Sequence, residues 1–187
     1  QAGRLAQASP AAQYAAALSA LRLGQSTDAL TLVRRVQAQA ATSTRPVWDS
    51  LELEILIGQG NKGQPDPALA ALRDRALAGT TRAEMLLGTQ AALLTQAALP
   101  QAGSRLQDWV LSHPKDAQAW QTLSRVQAAQ GQRLRAVRSE AEARVAQFDY
   151  AGAADRLRAA QGLPLAERQA DPIEMAIVDA RRQEVER

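Results

Sequence analysis

Apolar residues recur along this chain at three- and four-residue spacing, with polar residues between them. In residues 11–23 the apolar stripe consists of Tyr14, Ala17, Leu18 and Leu21. A stripe of this kind is the pattern of a helix that buries one face. Glycines, prolines and short polar clusters separate one striped segment from the next. The fold is therefore predicted to be all-α, with neighbouring helices joined as hairpins.

The breaks in the pattern predict four hairpins and a helical end. The hairpins are placed at 11–41, 46–78, 82–112 and 117–147, and two closing helices at 149–161 and 172–186. The helix at 133–147 is expected to serve both the fourth hairpin and the first closing helix. Residues 58–67 contain three glycines and two prolines, which predicts an exposed insertion in the second hairpin. Because the chain begins at Gln1 without a leader, residues 1–10 are interpreted as a linker from a missing upstream domain.

The fourth hairpin carries a repeat signature. Trp120, Leu123 and Ser124 have the spacing of the Trp-x2-Leu-Gly motif that opens a tetratricopeptide repeat. Gly131 and Ala136 then stand at the inter-helix glycine and at the small alanine of the second helix. These positions predict a tetratricopeptide hairpin here.

The spacing of small alanines extends that prediction to the rest of the chain. Ala68, Ala102 and Ala136 follow one another at intervals of 34 residues, which is the tetratricopeptide period. We therefore expect a right-handed tetratricopeptide superhelix of about four hairpins, closed by C-terminal capping helices that cover the last apolar face.

Charge and composition narrow the classes of partner. The chain has 22 Lys and Arg against 19 Asp and Glu, interleaved from end to end, and only 3% of its residues are aromatic. Nucleic-acid binding favours clustered basic residues with aromatic residues among them, so no nucleic-acid partner is expected. No apolar run reaches 18 residues, so no membrane span is predicted.

The residues needed for common catalytic sites are missing from the sequence. His113 is the only histidine, so neither an H-E-x-x-H zinc site nor a Ser-His-Asp triad can be assembled within the chain. His113 itself is interpreted as a solvated residue of an inter-helix turn. Trp48, Trp109 and Trp120 are predicted to pack in the core. The chain is therefore expected to be non-catalytic and to hold no cofactor.

A surface remains as the candidate functional feature. In a stack of helical hairpins the first helix of each hairpin lines a concave groove, which suits an extended peptide or a partner protein. The residues predicted by register to face this groove are Tyr14, Leu18, Arg22, Asp49, Leu53, Leu87, Ala91, Gln118, Gln121 and Arg125.

The C-terminal third resembles a known family. Residues 134–161, LRAVRSEAEARVAQFDYAGAADRLRAAQ, are followed after a short break by PIEMAIVDARRQEVER at 172–187. This order is similar to the C-terminal end of BepA-type periplasmic zinc metalloproteases. The opening repeat, 9–30, is similar to the first repeat of the same proteins. Phe148 stands where the family pattern has a glycine before its aspartate.

The resemblance implies a role for the chain as the C-terminal tetratricopeptide arm of such a protease. The catalytic domain, with H-E-x-x-H and its zinc ion, would lie upstream. The family works in the periplasm on quality control or assembly of outer-membrane proteins. The arm would then contact its own protease domain, a substrate or the outer-membrane assembly machinery. The alternative is a free-standing scaffold or adaptor for an envelope assembly such as a pilus or secretion complex.

Overall fold

The fold of this chain is built from helices. A computed structural model describes residues 9–60 and 66–187. Within those ranges it contains eleven helices and no strand, so the all-α prediction is confirmed. Contacts divide the chain into two compact units, Gln1–Thr95 and Gln96–Arg187.

The first unit contains five helices. They are α1 (Pro10–Arg22), α2 (Ser26–Gln37), α3 (Arg45–Gln59), α4 (Ala68–Ala78) and α5 (Arg82–Thr95). Each helix packs on the next in the chain, and α3 also packs on α5. The pairs α1–α2 and α3–α4 correspond to the first two predicted hairpins.

The core of the first unit begins between α1 and α3. Ala17 and Ala29 are fully buried, and their small side chains let α1 and α2 approach closely. Trp48, Leu51 and Ile55 form the buried face of α3 against them, so Trp48 packs in the core as predicted. Their spacing of three and four residues is the helical period that the sequence shows.

Local sequence defines where α5 begins and how close it lies to α4. The Glu84 amide donates to Thr81 Oγ1 at 3.2 Å, and the Thr81 amide donates to Glu84 Oε2 at 3.1 Å, which is a capping box. A Cβ at Gly88 would lie 2.9 Å from the backbone nitrogen of Leu77. Gly88 therefore permits a helix contact that alanine would disturb.

The second unit contains six helices. They are α6 (Leu99–Ser112), α7 (Ala117–Ala129), α8 (Arg133–Ala146), α9 (Tyr150–Gln161), α10 (Leu165–Ala170) and α11 (Pro172–Val185). The helices α6, α7, α8 and α9 pack in chain order, and α11 packs on α9 and α8. The helix α8 thus has partners on both sides, as expected for 133–147.

The turn before α7 is fixed by two side chains. Asp116 Oδ1 accepts the amide hydrogen of Ala119 at 3.1 Å and caps α7. Trp120 is buried, and its indole nitrogen donates to the carbonyl of Pro114 at 3.0 Å. The tryptophan of the repeat signature therefore lies in the core and also holds the turn.

Ion pairs join α8 to α11. Arg135 contacts Asp171 at 2.6 Å, Arg138 pairs with the buried Glu174, and Glu142 receives two hydrogen bonds from Arg181 at 2.9 and 3.0 Å. From one ion pair to the next, the residue numbers increase along both helices, so α8 and α11 run parallel.

Several predicted boundaries differ from the structure. The helix α6 begins at Leu99 and has Pro100 in its first turn, within the segment 82–112 that was predicted as the third hairpin. Proline suits this place because the first helical N–H groups lack intrahelical acceptors. The short helix α10 falls in a segment interpreted as a break between helices.

Most of the small alanines occupy equivalent positions within their helices, but one does not. Ala29, Ala102, Ala136 and Ala153 are buried, each at the fourth position of its helix. Ala68 instead opens α4 and is half-buried. It therefore does not occupy the equivalent place, although it keeps the 34-residue interval.

Two other predictions concern segments described only in part. Residues 1–8 of the predicted linker and residues 61–65 of the predicted insertion lie outside the described residues. Pro10 already belongs to α1, and 58–59 belong to α3. The division between the two units falls at Thr95, inside the segment predicted as the third hairpin.

Candidate functional site

The candidate residues of α1 contribute to the core as well as to a surface. The Tyr14 ring meets the Trp48 ring edge-on, with centroids 5.7 Å apart. Leu18 is half-buried against the same core, whereas Arg22 is exposed at the end of the helix. Of these three residues, Arg22 is thus the most open to a partner.

The first unit has a cleft between α3 and α4, with a volume of about 280 Å³. We call it the α3–α4 cleft. The residues that line it include Asp49, Leu53, Leu72, Arg75 and Glu84. Its floor is apolar, because Leu53 and Leu72 are buried, and its edge carries charged side chains.

Asp49 is held in place by two neighbours at this cleft. Its Oδ2 accepts a hydrogen bond from Arg75 Nε at 3.1 Å, and its Oδ1 accepts one from Gln37 Nε2 at 3.0 Å. The positive charge of Arg75 therefore partly compensates the negative charge of the Asp49 carboxylate.

The candidate residues of α5 offer little surface. Ala91 is fully buried, and Leu87 is half-buried against the core cluster that contains Leu53. These residues support the α3–α4 region from within.

In the second unit, the candidate residues of α7 lie on one exposed face. Gln118, Gln121 and Arg125 are all exposed, and their spacing of three and four residues places them together on the helix. Gln121 and Arg125 line a cleft of about 380 Å³, whereas Gln118 is not among its lining residues. We call it the α7–α9 cleft.

The other wall of the α7–α9 cleft comes from α8 and α9. Glu140 and Arg144 project from α8, and Arg156 projects from α9. Arg156 Nη1 lies 3.4 Å from Glu140 Oε2, and both side chains are nearly half exposed. Arginine therefore predominates among the charged groups of the cleft.

Asp149 positions Arg144 at the edge of this cleft. Asp149 accepts the Gly152 amide hydrogen at 2.9 Å and the Arg144 Nη1 hydrogen at 2.6 Å. These two hydrogen bonds, the backbone one first, hold the pKa of the Asp149 carboxyl below its ordinary value of 3.8. The same carboxylate thus caps α9 and orients a guanidinium group.

The residues that sequence reasoning missed lie on second helices. Arg75, Glu140 and Arg144 line the two clefts, but the prediction considered only the first helix of each hairpin. In the sequence, Arg144 stands shortly before Asp149, at the start of a predicted helix. This order could have indicated that the aspartate caps the helix and also holds the arginine.

The tryptophan and histidine of the α6–α7 turn form a local stack. The rings of Trp109 and His113 are 3.9 Å apart and inclined by 8°. Trp109 is half-buried, and its indole nitrogen donates to Asp116 Oδ2 at 2.9 Å. His113 is exposed, as the sequence predicted, and its position is set by this stack.

Two further features bear on metal and membrane binding. Across residues 9–60 and 66–187, no three His, Cys, Asp or Glu side chains are grouped so as to hold a metal ion. In the same part of the chain, none of the helices combines the length and apolar character needed to cross a bilayer.

Two comparisons with known proteins found no match. No protein-family model matches the chain, and no curated protein matches it. The resemblance seen in the sequence therefore stays a prediction.

Proposed function

We propose that this chain is a protein-binding module built from tetratricopeptide-type hairpins. The all-α fold and the sequential packing of α6, α7, α8 and α9 support this proposal. The observation that carries it is the α7–α9 cleft, where exposed Gln121 and Arg125 of α7 lie beside the guanidinium groups of α8 and α9. Polar groups held by packed helices suit recognition of a peptide backbone and its side chains.

Site-specific crosslinking tests this function. A photoreactive residue at Gln121 should crosslink one defined partner in cells, and the same residue at Gln183, exposed on α11, should not. Arg125→Glu should weaken binding of that partner about tenfold or more. The substitution removes the hydrogen-bond donors of the guanidinium group and places a negative charge at the contact, which repels an acidic group of the partner. Lys115→Glu, exposed and outside the cleft, is the matched control.

Tyr14→Ala combined with Arg125→Glu extends the test to the first unit. We expect the double variant to bind the partner more weakly than Arg125→Glu alone, with an unchanged helical circular dichroism spectrum. Tyr14 also packs on Trp48, so a melting curve of each variant is needed beside the binding measurement. Full binding by a folded double variant would contradict the proposed use of these residues.

We also propose, from the resemblance alone, that the chain is the C-terminal arm of a periplasmic zinc metalloprotease of the BepA type. In this proposal the zinc ion belongs to an upstream domain, and the arm docks substrates or the outer-membrane assembly machinery. The similarity of 134–161 and 172–187 to that family supports it. The native polypeptide, captured with an antibody against this chain, should contain one zinc ion and an H-E-x-x-H segment. A zinc-free polypeptide without that segment would favour an adaptor instead.

A further inference from the structure

The α7–α9 cleft has the chemistry of a receptor for carboxylates. We propose that it binds an extended acidic peptide segment, whose carboxylates are held by Arg125 and its neighbouring arginines. This inference rests on the proposed protein-binding function and names the chemical class of the partner.

Arg125 differs from the other arginines around it. Those of α8 and α9 all form ion pairs within the unit, such as Arg144 with Asp149 and Arg156 with Glu140. Arg125 is exposed and has no ion pair or hydrogen bond with any residue that the structure describes. A guanidinium group carries five N–H donors in a fixed planar arrangement that fits a carboxylate with two parallel hydrogen bonds. Arg125 is therefore available for such a contact.

The neighbouring arginines retain binding capacity as well. The contact between Arg156 and Glu140 is 3.4 Å long and solvated, and ion pairs of this kind contribute little stability. Arg144 uses Nη1 for Asp149, which leaves other N–H groups of its guanidinium group for a ligand. Three guanidinium groups thus line the cleft against the single carboxylate of Glu140.

The same residues favour a peptide over a nucleic acid. None of the residues that line the cleft is aromatic, whereas single-stranded nucleic acids are usually held by stacking on aromatic side chains. Gln121 and Gln147 provide amides that can pair with the main chain of a peptide.

The expected ligand has acidic residues at alternate positions. In an extended chain, side chains two residues apart point the same way and lie about 7 Å apart. Alternating acidic residues would therefore present their carboxylates to the cleft while the intervening side chains face away.

Fluorescence anisotropy with the whole chain tests the inference. The probe is a fluorescein-labelled peptide of alternating alanine and glutamate, and its control replaces each glutamate by glutamine. We expect the glutamate peptide to bind at least about tenfold more tightly, and Arg125→Gln to lower its affinity about tenfold. Lys115→Gln removes the same charge from an exposed position outside the cleft and should leave the affinity within about twofold of the parent.

Raising the salt concentration provides a second readout. The affinity for the glutamate peptide should fall steeply, because the screening length shortens from about 10 Å at 0.1 M to about 3 Å at 1 M salt. Arg125→Gln should show a shallower dependence on salt than the parent chain.

Several outcomes would overturn the inference. They are equal binding of the two peptides, equal loss of affinity in Arg125→Gln and Lys115→Gln, or tighter binding of a single-stranded oligonucleotide than of the glutamate peptide. Equal binding of the two peptides at the cleft would still support a peptide-binding module, so it separates this inference from the proposed function. Failure of the crosslink from Gln121 would instead count against the proposed function itself.

Discussion

At the scale of single residues, Phe148 is the position where sequence and backbone conflict most clearly. Its φ is +64°, in the left-handed region, and its side chain is 75% exposed. An L-residue with a Cβ is disfavoured there by about 1–2 kcal/mol, whereas glycine is not. Phe148 therefore bears a conformational cost without burying its ring.

Replacing Phe148 by glycine should stabilise the protein by about 1 kcal/mol, since relief of the backbone strain exceeds the added entropy of the unfolded chain. Urea unfolding followed by circular dichroism measures this difference. Tyr150→Gly is the control, because Tyr150 opens a helix and glycine there should lower stability. A destabilised Phe148→Gly variant would mean that the exposed ring makes a favourable contact.

Prediction of single residues succeeded best where burial is the dominant requirement of a side chain. Trp48 and Trp120 were predicted in the core and are buried there, because burial of a large apolar ring is strongly favoured. Trp109 was also predicted in the core but is only half-buried, stacked on His113. Leu53 and Ala91, predicted on the groove, are buried as well. Helical register alone does not tell an inner face from a groove face when both carry apolar residues.

At the scale of helices, the contact between α8 and α11 depends on charge as well as apolar packing. Glu174 is 5% exposed, and its partner Arg138 is also largely buried. Arg138 additionally lies over the ring of Trp120, 5.8 Å from its centroid. This pair therefore connects α11 to α8 and to the signature tryptophan of α7.

Arg138→Met should destabilise the protein by about 3 kcal/mol, because it leaves the Glu174 carboxylate buried without a partner. The double variant Arg138→Met, Glu174→Met should recover most of that loss. Arg133→Met is the matched control on the same helix, since its pair with Glu167 is exposed and worth less than about 1 kcal/mol. Thermal unfolding of the four proteins gives the comparison. A double variant as unstable as Arg138→Met would contradict this account.

Helices were predictable as elements because apolar periodicity is a local property of the sequence. The ends of the helices and their packing partners were harder to predict. The six-residue helix α10 buries no residue, so it leaves no apolar stripe to detect. The pairing of α8 with α11 joins residues some 36 positions apart through side-chain charges, and the sequence alone does not say which of many charges will meet.

At the scale of the whole chain, many of the arginines that alternate with acidic residues in the sequence form ion pairs with specific Asp and Glu residues in the fold. The sequence showed that charges are interleaved, which argued against a single basic face. It could not show that the chain divides at Thr95 into two compact units. The connection there contains Gln96 and Ala98, both with positive φ, and residues of this kind give no sign of such a conformation in the sequence.

The pairs also predict how stability depends on pH. Hydrogen bonds from Arg135 and then from the Glu174 amide lower the pKa of Asp171 below its ordinary value of 3.8. Asp149 has a lowered pKa for the corresponding reasons. Burial alone would raise the pKa of Asp66, but hydrogen bonds from Arg34 and the Ala68 amide lower it overall. Both units therefore contain carboxylates that are more acidic when folded.

A carboxyl group with a lowered pKa in the folded state stabilises the protein fully above its unfolded pKa, and this contribution is lost as the pH falls through the folded pKa. We therefore expect a melting temperature that is steady near neutral pH and falls progressively below about pH 4. In Asp171→Asn the melting temperature should be lower than in the parent at neutral pH and should converge on it in acid, because the parent then loses the same interactions. Parallel curves for the two proteins across this range would show that the pairing of Asp171 with Arg135 contributes nothing to the acid sensitivity.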